Sequence, residues 1–295
     1  MRSERPCGTR YCRRQRTVCA GRLSWDETLQ VETPFGKPSS DIVVGDLAGR
    51  RIAFLSRHGE GHRLTPGEVP YAANVYAMKS LGVTHLLSVS AVGSLREDVM
   101  PRSFCVPDNL IDRTIGRRRT FFGDGLVAHV SMAAPFCPDF SSRLVDAARS
   151  SSELPVRSGG NYVCIEGPQF STRAESELYR SWGASIIGMT ALPEARLARE
   201  AELCYACLAM VTDYDVWHED EDVSVEMVIA NLQAMTSNVV GIVTSLASDF
   251  DENCSSTCRT SLDNAIITGP DHVQPETWSK LGPLTERYVG ANLSR

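Results

Sequence analysis

The segment of residues 184–215, ASIIGMTALPEARLAREAELCYACLAMVTDYD, decides the fold class of this chain. It opens with a short apolar run at residues 184–188, which is typical of a buried strand. A helix is predicted next, at residues 193–202, because proline is well tolerated in the first turn of a helix. A longer apolar run at residues 204–212 predicts a second strand, which is followed by a pair of aspartates. A strand, a helix and a strand in succession indicate an α/β fold.

The same alternation of strands and helices continues on both sides of this segment. Toward the N-terminus, residues 41–45 and 51–56 predict a hairpin, because a glycine-containing turn separates two β-rich runs. The remaining strands are predicted at residues 84–90, 104–106 and 161–165, and the remaining helices at residues 71–81, 172–182, 223–246 and 275–289. We therefore predict one α/β domain with a mixed, partly parallel central β-sheet flanked by helices.

The composition describes a chain that can bury a sizeable core. Of its 295 residues, 42% are hydrophobic and 22% are charged, which argues against disordered, collagen-like and coiled-coil classes. No apolar run approaches the roughly 18 residues that span a bilayer, and the N-terminus lacks the apolar stretch of a secretory signal. We therefore expect a cytoplasmic protein with no membrane partner.

The charge is distributed unevenly between the N-terminus and the rest of the chain. Residues 1–22 contain seven arginines and one acid, Glu4, so that a net charge of −6 leaves −12 for residues 23–295. An acidic body argues against a nucleic-acid partner, because phosphate neutralisation would fall to the short basic segment alone. We predict that residues 1–22 are a disordered leader or a misassigned start, and that residues 23–295 form the domain.

The cysteines of this chain do not form a recognisable metal-binding motif. Outside the N-terminal segment, Cys254 and Cys258 are the one close pair of cysteines in a polar loop. No second pair of cysteines or histidines follows at a zinc-finger spacing, so we predict no metal site. Cys164, Cys204 and Cys207 lie in apolar runs, where cysteine serves as a small hydrophobic residue.

Polar clusters follow four of the predicted strands, at residues 56–59, 90–94, 188–190 and 212–215. In α/β sheets, ligands bind where the carboxyl ends of strands converge. Arg57 offers a rigid fork of donors for an oxyanion, and His58 can add another. The hydroxyls of Ser90 and Thr190 and the backbone N–H groups around Ala91 suit the same ligand. An Arg-His pair alone is more often a surface ion pair, but four clusters at strand ends favour a phosphate site.

Two acidic residues, Asp213 and Asp215, flank Tyr214 after the apolar strand. On an extended backbone both carboxylates would point to the same side. Two neighbouring acids repel, which raises the pKa of one and suits it to donate a proton to a basic ring nitrogen. A solvated loop end is the alternative. Phe170 follows a Gly-Pro turn and either lies on a flat ligand or belongs to the core.

From about residue 23 to its end, the chain resembles the S-methyl-5′-thioadenosine phosphorylases, within the trimeric nucleoside phosphorylases. The matching stretches occur in order and at family-like spacing, at residues 32–39, 57–59, 69–74, 90–97, 121–125, 135–138, 166–176, 188–190 and 212–215. The resemblance implies a reversible phosphorolysis, in which inorganic phosphate attacks the ribosyl C1′ and adenine leaves. Phosphate is then a co-substrate, and no metal or organic cofactor takes part.

The resemblance also implies roles for individual residues. The phosphate-binding residues would be Arg57, His58, Ser90, Ala91 and Thr190. The residues in contact with the nucleoside would be Met189 at the ribose, Phe170 and Ser171 at the base, and Asp213, Tyr214 and Asp215 around the purine edge, with one aspartate as the catalytic acid. Val225, Val228 and Ile229 would line an apolar slot for the 5′-methylthio group. His129 would reach the site of a neighbouring subunit, which implies a homotrimer.

Two alternatives to this function stay open. Relatives that act on 6-oxopurine nucleosides have a similar site with asparagine in the place of an aspartate, so the acid pair favours adenine. Family members also open with an apolar strand and a glycine-rich loop that helps to bind phosphate, where this chain has the arginine-rich segment of residues 1–22. A weakly active purine-binding homologue is therefore the second alternative.

Overall fold

The computed structural model describes residues 23–218 and 224–292, so the predicted leader, residues 1–22, lies outside the described residues. A small antiparallel sheet contains β1 (Leu23–Leu29), β2 (Ile42–Leu47) and β3 (Arg50–Phe54). The predicted hairpin is the β2–β3 pair. Its connecting residues Ala48 and Gly49 both have positive φ, the conformation of a type I′ turn, which matches the twist of paired strands. The largely polar β1 has no counterpart among the predicted strands.

A seven-stranded mixed sheet forms the centre of the molecule. Its strands are β4 (His85–Ser94), β5 (Ser103–Val106), β6 (Asn109–Arg113), β7 (Val156–Ser158), β8 (Asn161–Ile165), β9 (Ala184–Gly188) and β10 (Cys204–Asp213). They lie in the order β6-β8-β9-β4-β10-β5-β7. The pairs β4–β10, β5–β7, β6–β8 and β8–β9 are parallel, whereas β4–β9 and β5–β10 are antiparallel. The predicted fold class, a mixed and partly parallel sheet, is confirmed.

Seven α-helices accompany the sheets in the described part of the chain. They are α1 (Tyr71–Ser80), α2 (Pro138–Ser151), α3 (Arg173–Ser181), α4 (Ala191–Glu200), α5 (Val225–Ser248), α6 (Pro275–Lys280) and α7 (Gly282–Asn292). The polar α2 has no predicted counterpart, and the helix predicted at 275–289 is interrupted between α6 and α7. Leu192 within α4 is extended, with φ −121° and ψ 138°, because a residue before proline avoids the helical region. The regular part of α4 therefore starts at Pro193, as predicted.

Strand β10 is buried along its whole length and contributes to two separate cores. Its residues Tyr205, Cys207, Ala209 and Val211 pack on one face with residues of α1 and α4. The alternate residues Cys204, Ala206, Leu208 and Met210 pack on the other face with residues of α2 and α5. Side chains of a strand alternate between its faces, so helices cover the sheet on both sides, as predicted.

By length and composition alone, helix α5 is long and apolar enough to cross a membrane. It is the one helix among the described residues with this property. Its residues Met235, Ile242 and Leu246 are buried against α2 and β10. Five of its 24 residues are buried, so the helix packs one face against the domain.

Strand β4 has different neighbours along its two edges. On one edge it pairs with β10 from His85 to Gly93. On the other edge, the described residues that pair with it are those of β9, at Gly93 and Ser94 alone. The resemblance implies a further central strand, and no described residue forms one here. The candidate site lies beside this edge.

Candidate active site

The carboxyl ends of β4 and β9 overlap, because the two strands approach in opposite directions and pair over only two residues. Gly93 pairs with Ile187, so the residues just after β9 run back alongside β4. Consequently the hydroxyls of Ser90 and Thr190 lie 2.8 Å apart in the protein interior. Two of the predicted phosphate-binding residues, 100 positions apart in sequence, are therefore in contact.

Arg57, the third predicted phosphate-binding residue, lies against the same part of β4. Its guanidinium donates to the Ser88 hydroxyl at 2.6 Å and to the Val89 carbonyl at 3.3 Å. It also forms a two-point ion pair with the Glu194 carboxylate, at 2.8 and 3.2 Å. Burial alone would lower the pKa of Arg57, but the adjacent Glu194 charge raises it above its ordinary value. The cation is thus held permanently charged and fixed beside Ser90.

The backbone at Ala91 faces the same edge as the Arg57 side chain. Backbone groups of successive residues in a strand point to opposite edges, so those of every second residue face the same edge. Since the Val89 carbonyl accepts a hydrogen bond from Arg57, the groups of Ala91, two residues further on, point toward that edge too. Arg57 and the backbone of Ala91 therefore lie along the same edge of β4, next to the contact between Ser90 and Thr190. We refer to Arg57, Ser90, Ala91 and Thr190 as the donor cluster.

His58 lies next to this region with one ring nitrogen already engaged. Its Nδ1 is 2.8 Å from the Leu64 carbonyl, which accepts the Nδ1 hydrogen. Burial lowers the pKa of His58 below its ordinary value, so the neutral ring predominates at neutral pH. The Nε2 atom of that tautomer is an acceptor, which suits the hydroxyl of a monoprotonated phosphate.

The acid pair lies at the end of β10, with both residues buried. The Asp213 carboxylate accepts hydrogen bonds from the Thr212 hydroxyl at 2.7 Å and from the Asp215 backbone N–H at 2.9 Å. The expectation of an extended backbone through both aspartates is wrong. The strand ends at Asp213, and Asp215, with φ +54°, begins a short 3₁₀ helix. Asp213 is held in this turn by its hydrogen bond to the backbone of Asp215.

Gly93 of β4 allows the acid pair to approach the sheet. A Cβ at this position would lie 2.8 Å from Asp213 Oδ1 and 3.3 Å from Asp215 Cβ. Both aspartates therefore lie close to Gly93, only three residues from Ser90. The acid pair therefore lies near the carboxyl end of β4, the strand that carries Ser90.

Burial raises the pKa of both aspartates above their ordinary values. For Asp213, the nearby charge of Asp215 raises the pKa further, while the Thr212 hydroxyl opposes the shift. For Asp215, the hydroxyls of Ser176 and Ser171 oppose it. Two coupled carboxyl groups of this kind can share one proton, so that one donates a hydrogen bond while the other accepts.

Ser171 and Phe170 occupy different positions near the acid pair. The Ser171 hydroxyl lies 2.9 and 3.1 Å from the two carboxylate oxygens of Asp215, so this predicted base-site residue is in direct contact with it. Phe170 is 45% exposed, which excludes the core interpretation of its side chain. Its predicted contact with a flat base stays a prediction.

Tyr214 packs away from its two acidic neighbours. Its ring forms an edge contact with Trp217 and stacks on His218, with ring centroids 5.7 and 4.6 Å apart. Its hydroxyl donates to the Glu97 carbonyl at 3.3 Å. These contacts hold the turn in place, and the substrate contact predicted for Tyr214 stays a prediction.

Arg117 holds two loops of the site together, although it is not among the predicted site residues. Its guanidinium donates to the Glu166 carboxylate at 2.9 Å and to the Glu166 carbonyl at 2.7 Å. It also donates to the carbonyls of Met189 and Leu192, at 2.7 and 2.8 Å. The predicted ribose contact, Met189, is thereby fixed to the segment that precedes Phe170. The run of three arginines at 117–119 was the available signal.

Helix α5 is anchored at the end of β10 by Asn231. Its side-chain N–H donates to the Thr212 carbonyl at 2.6 Å, and its side-chain oxygen accepts from Arg102 at 2.8 Å. The predicted apolar slot residues Val225, Val228 and Ile229 lie within the two preceding turns. Val225 and Ile229 are 58% and 42% exposed, so apolar surface is available near the acid pair.

His129 is exposed on the surface of the protomer. Its backbone N–H donates to the Ala265 carbonyl at 2.9 Å. Within the described parts of the chain, no hydrogen bond or ring contact joins its side chain to the other predicted site residues. The predicted role of His129 in a neighbouring site therefore stays a prediction.

Comparison with known proteins identifies close relatives. Residues 19–248 match the family model described as the phosphorylase superfamily. The S-methyl-5′-thioadenosine phosphorylase of Chloroflexus aurantiacus is 53% identical over 264 residues, 89% of this chain and 91% of that protein. The enzyme of the same name from Gloeobacter violaceus is 51% identical over 267 residues, 88% of this chain and 89% of that protein.

Solved structures that are similar to this chain carry the same enzyme name as these relatives. The crystal structure of a methylthioadenosine phosphorylase from an Antarctic soil metagenomic library has a TM-score of 0.84 and 48% identity, covering 89% of this chain and 93% of that one. A Schistosoma mansoni methylthioadenosine phosphorylase in complex with adenine has a TM-score of 0.78 and 37% identity, covering 83% of this chain and 93% of that one.

Proposed function

The chain belongs to the phosphorylase superfamily, and from this we propose that it cleaves S-methyl-5′-thioadenosine with phosphate. The products are adenine and 5-methylthioribose 1-phosphate, so the enzyme is a pentosyltransferase of purine and methionine salvage. The observation that carries the proposal is the buried pair Asp213 and Asp215 beside the donor cluster of Ser90 and Thr190. Relatives about 50% identical over most of the chain carry the name of this activity.

The donor cluster binds and orients the phosphate. Arg57 supplies the charge, and the hydroxyls of Ser90 and Thr190 and the N–H of Ala91 supply neutral hydrogen bonds. Because Glu194 pairs with Arg57, part of the cationic charge is already compensated, and the site binds phosphate without a large excess of positive charge. An oxygen of the bound phosphate attacks C1′ of the nucleoside. The bond from C1′ to N9 breaks, and its electron pair passes to the purine.

The acid pair stabilises the departing base. In the protonated form favoured by burial, Asp213 donates its proton to the purine N7 as negative charge develops on the ring. Asp215, ionised and held by Ser171, accepts a hydrogen bond from the 6-amino group. A 6-oxopurine places a carbonyl oxygen opposite that carboxylate, and the two acceptors repel. The pair therefore selects adenine over hypoxanthine.

Release of adenine from S-methyl-5′-thioadenosine, measured with and without phosphate, tests this function. We expect release that requires phosphate and a much lower rate with inosine in a parallel assay. Faster turnover of inosine would favour the alternative of a 6-oxopurine nucleoside phosphorylase. Among the described residues, only those of β9 pair with this edge of β4, so the weakly active purine-binding homologue is the second candidate. Adenine binding without phosphate-dependent release would identify it.

We also propose that inorganic phosphate is the sole co-substrate and that the reaction uses neither a metal nor an organic cofactor. Every group that the mechanism requires is a protein side chain or backbone N–H. Adding magnesium or manganese ions to the assay should leave the rate unchanged. A rate that depends on either ion would contradict the proposal.

We further propose a cytoplasmic homotrimer in which His129 completes the site of the neighbouring subunit. His129 is exposed, and among the residues that the structure describes no hydrogen bond or ring contact joins its side chain to the site of its own protomer, which supports this arrangement. Light scattering should give three times the chain mass. A mixture of the inactive variants His129→Ala and Asp213→Asn should regain activity on subunit exchange, because some mixed sites carry neither substitution. A monomer with full activity would refute the arrangement.

A further inference from the structure

Four cysteine side chains converge at the end of the sheet remote from the candidate site. The sulfur atoms of Cys137, Cys204, Cys254 and Cys258 all lie within 4.8 Å of one another. Cys137 precedes α2, Cys204 is the first residue of β10, and the other two follow α5. The prediction of no metal site considered Cys254 and Cys258 alone, because the other two are distant in sequence.

Three of the four distances between the sulfur atoms, those among Cys137, Cys254 and Cys258, approach the distances of a tetrahedral metal shell, and the Cys204–Cys258 distance is shorter. Cys137 Sγ lies 3.4 Å from Cys254 Sγ and 3.6 Å from Cys258 Sγ. Cys258 Sγ lies 3.5 Å from Cys254 Sγ and 2.8 Å from Cys204 Sγ. A zinc ion with Zn–S bonds of about 2.3 Å places its four sulfurs about 3.8 Å apart. A disulfide requires about 2.05 Å, and all four distances are longer.

We propose that Cys137, Cys204, Cys254 and Cys258 form a structural Zn²⁺ site. Four soft ligands in a tetrahedral set select zinc among the abundant divalent ions. A site closed by four protein ligands leaves no position for substrate. The nine steps along β10 from Cys204 to Asp213 span roughly 30 Å, so the ion lies far from the reacting atoms.

Neighbouring groups suit thiolate ligands. The Phe140 backbone N–H donates to Cys137 Sγ at 3.5 Å, at the N-terminus of the 14-residue helix α2. The partial positive charge of that helix end favours a thiolate. The Ser256 hydroxyl lies 3.0 Å from the sulfurs of Cys254 and Cys258 and 3.2 Å from that of Cys137, so it can donate to one of them. Hydrogen bonds of this kind, donated to the ligand atoms by neighbouring groups, orient metal ligands.

The proposed ion would join the segment after α5 to the rest of the fold. Polar contacts already hold this segment against α2: Asp139 accepts hydrogen bonds from Ser255, and Arg143 donates to the carbonyls of Asp251 and Asn253. These contacts are exposed to solvent. A zinc ion would add a buried link between this segment, α2 and the start of β10.

Metal analysis of the full-length protein tests the proposal. The protein is produced without a histidine tag in zinc-supplemented medium and purified under reducing conditions without chelator. Elemental analysis and native mass spectrometry should find one zinc per chain, and the four cysteines should resist thiol reagents until a chelator and denaturant are added. Zinc at trace level, iron in its place, or disulfides among these cysteines would each overturn the proposal. Replacement by Co²⁺ should give the absorption bands of a tetrahedral thiolate site.

Variants identify the ligands. Cys254 is only half-buried, so Cys254→Ala removes a ligand with little loss of packing, and zinc content should fall about tenfold or more. Cys105→Ala is the matched control, because Cys105 is a buried thiol outside the cluster, and it should retain one zinc per chain. Cys254→His restores a known type of zinc ligand and should restore the metal with an altered cobalt spectrum. Full zinc content in Cys254→Ala would refute the ligand assignment. These measurements do not depend on phosphorylase activity.

Discussion

Replacing Arg117 with methionine should destabilise the fold more than any exposed arginine substitution. The side chain of Arg117 is only 2% exposed, and its guanidinium donates hydrogen bonds to the Glu166 carboxylate and to three backbone carbonyls. Methionine retains the apolar length of the side chain but leaves these acceptors without a donor. Each unsatisfied buried acceptor costs about 1–3 kcal/mol, and breaking a buried ion pair costs about 3–5 kcal/mol.

These costs overlap, because the segments around Glu166 and Met189 can shift and admit water. The Glu166 side chain is 27% exposed, so water can solvate part of its charge. We therefore expect the free energy of unfolding to fall by about 4 kcal/mol in Arg117→Met. The same loss should raise the KM for the nucleoside, since the Met189 carbonyl loses its anchor.

Urea unfolding, followed by circular dichroism at one fixed protein concentration, measures the change. Arg118→Met is the matched control, because Arg118 is exposed and its guanidinium lies over the Phe35 ring at 5.4 Å. The control should cost less than about 1 kcal/mol. A free energy of unfolding within about 1 kcal/mol of the native value in Arg117→Met, or an equal loss in the control, would refute this reasoning.

Three further substitutions test the site and the fold. Asp213→Asn should lower kcat for adenine release by about 10²-fold or more with little effect on unfolding, and unchanged kinetics would remove this acid from the mechanism. Because burial raises the pKa of Asp213, kcat/KM of the native enzyme should fall as pH rises through that pKa, and the Asn variant should lack this fall. Thr190→Val should raise the KM for phosphate about tenfold, since a hydrogen bond is worth about 1 kcal/mol or slightly more, and an unchanged KM would exclude its contact. Burial raises the pKa of Glu200 from 4.5 to about 7, so the folded state holds a proton that the unfolded state has lost. Stability should therefore fall by up to about 3 kcal/mol between pH 4.5 and 7 and stay lower above it, whereas Glu200→Gln, compared by urea unfolding, should lack this dependence.

Much of the fold could be predicted from the sequence where apolar runs are short and clearly bounded. The strands predicted at 161–165 and 184–188 coincide with β8 and β9. Helix α3 begins where Thr172 and Glu175 form a capping box, within the predicted range of 172–182. By contrast, α2 was missed because its sequence, PDFSSRLVDAARSS, is rich in serine and charge, and its apolar stripe faces a core formed by distant strands.

The site could be predicted where its residues lie at or just after the ends of the predicted strands, as do Ser90, Thr190 and Asp213. Residues that act through a partner distant in sequence could not be predicted. Glu194 pairs with Arg57 across 137 positions, and no local pattern distinguishes it from a surface residue of a helix. Cys137 and Cys204 meet Cys254 and Cys258 only in the folded chain. Such pairings depend on the topology of the fold. The local periodicity of the sequence does not predict which distant residues meet.

The burial of both faces of β10 constrains how this chain can change in length. A single residue inserted between Cys204 and Asp213 would exchange the two sets of side chains between the cores and move the acid by about 3.3 Å relative to Gly93. Residues 251–253, in the exposed loop after α5, belong to neither core. We therefore expect natural relatives to differ in length at that loop and to keep the spacing along β10 constant. The length of β10 therefore fixes the distance between the cysteine cluster and the acid pair.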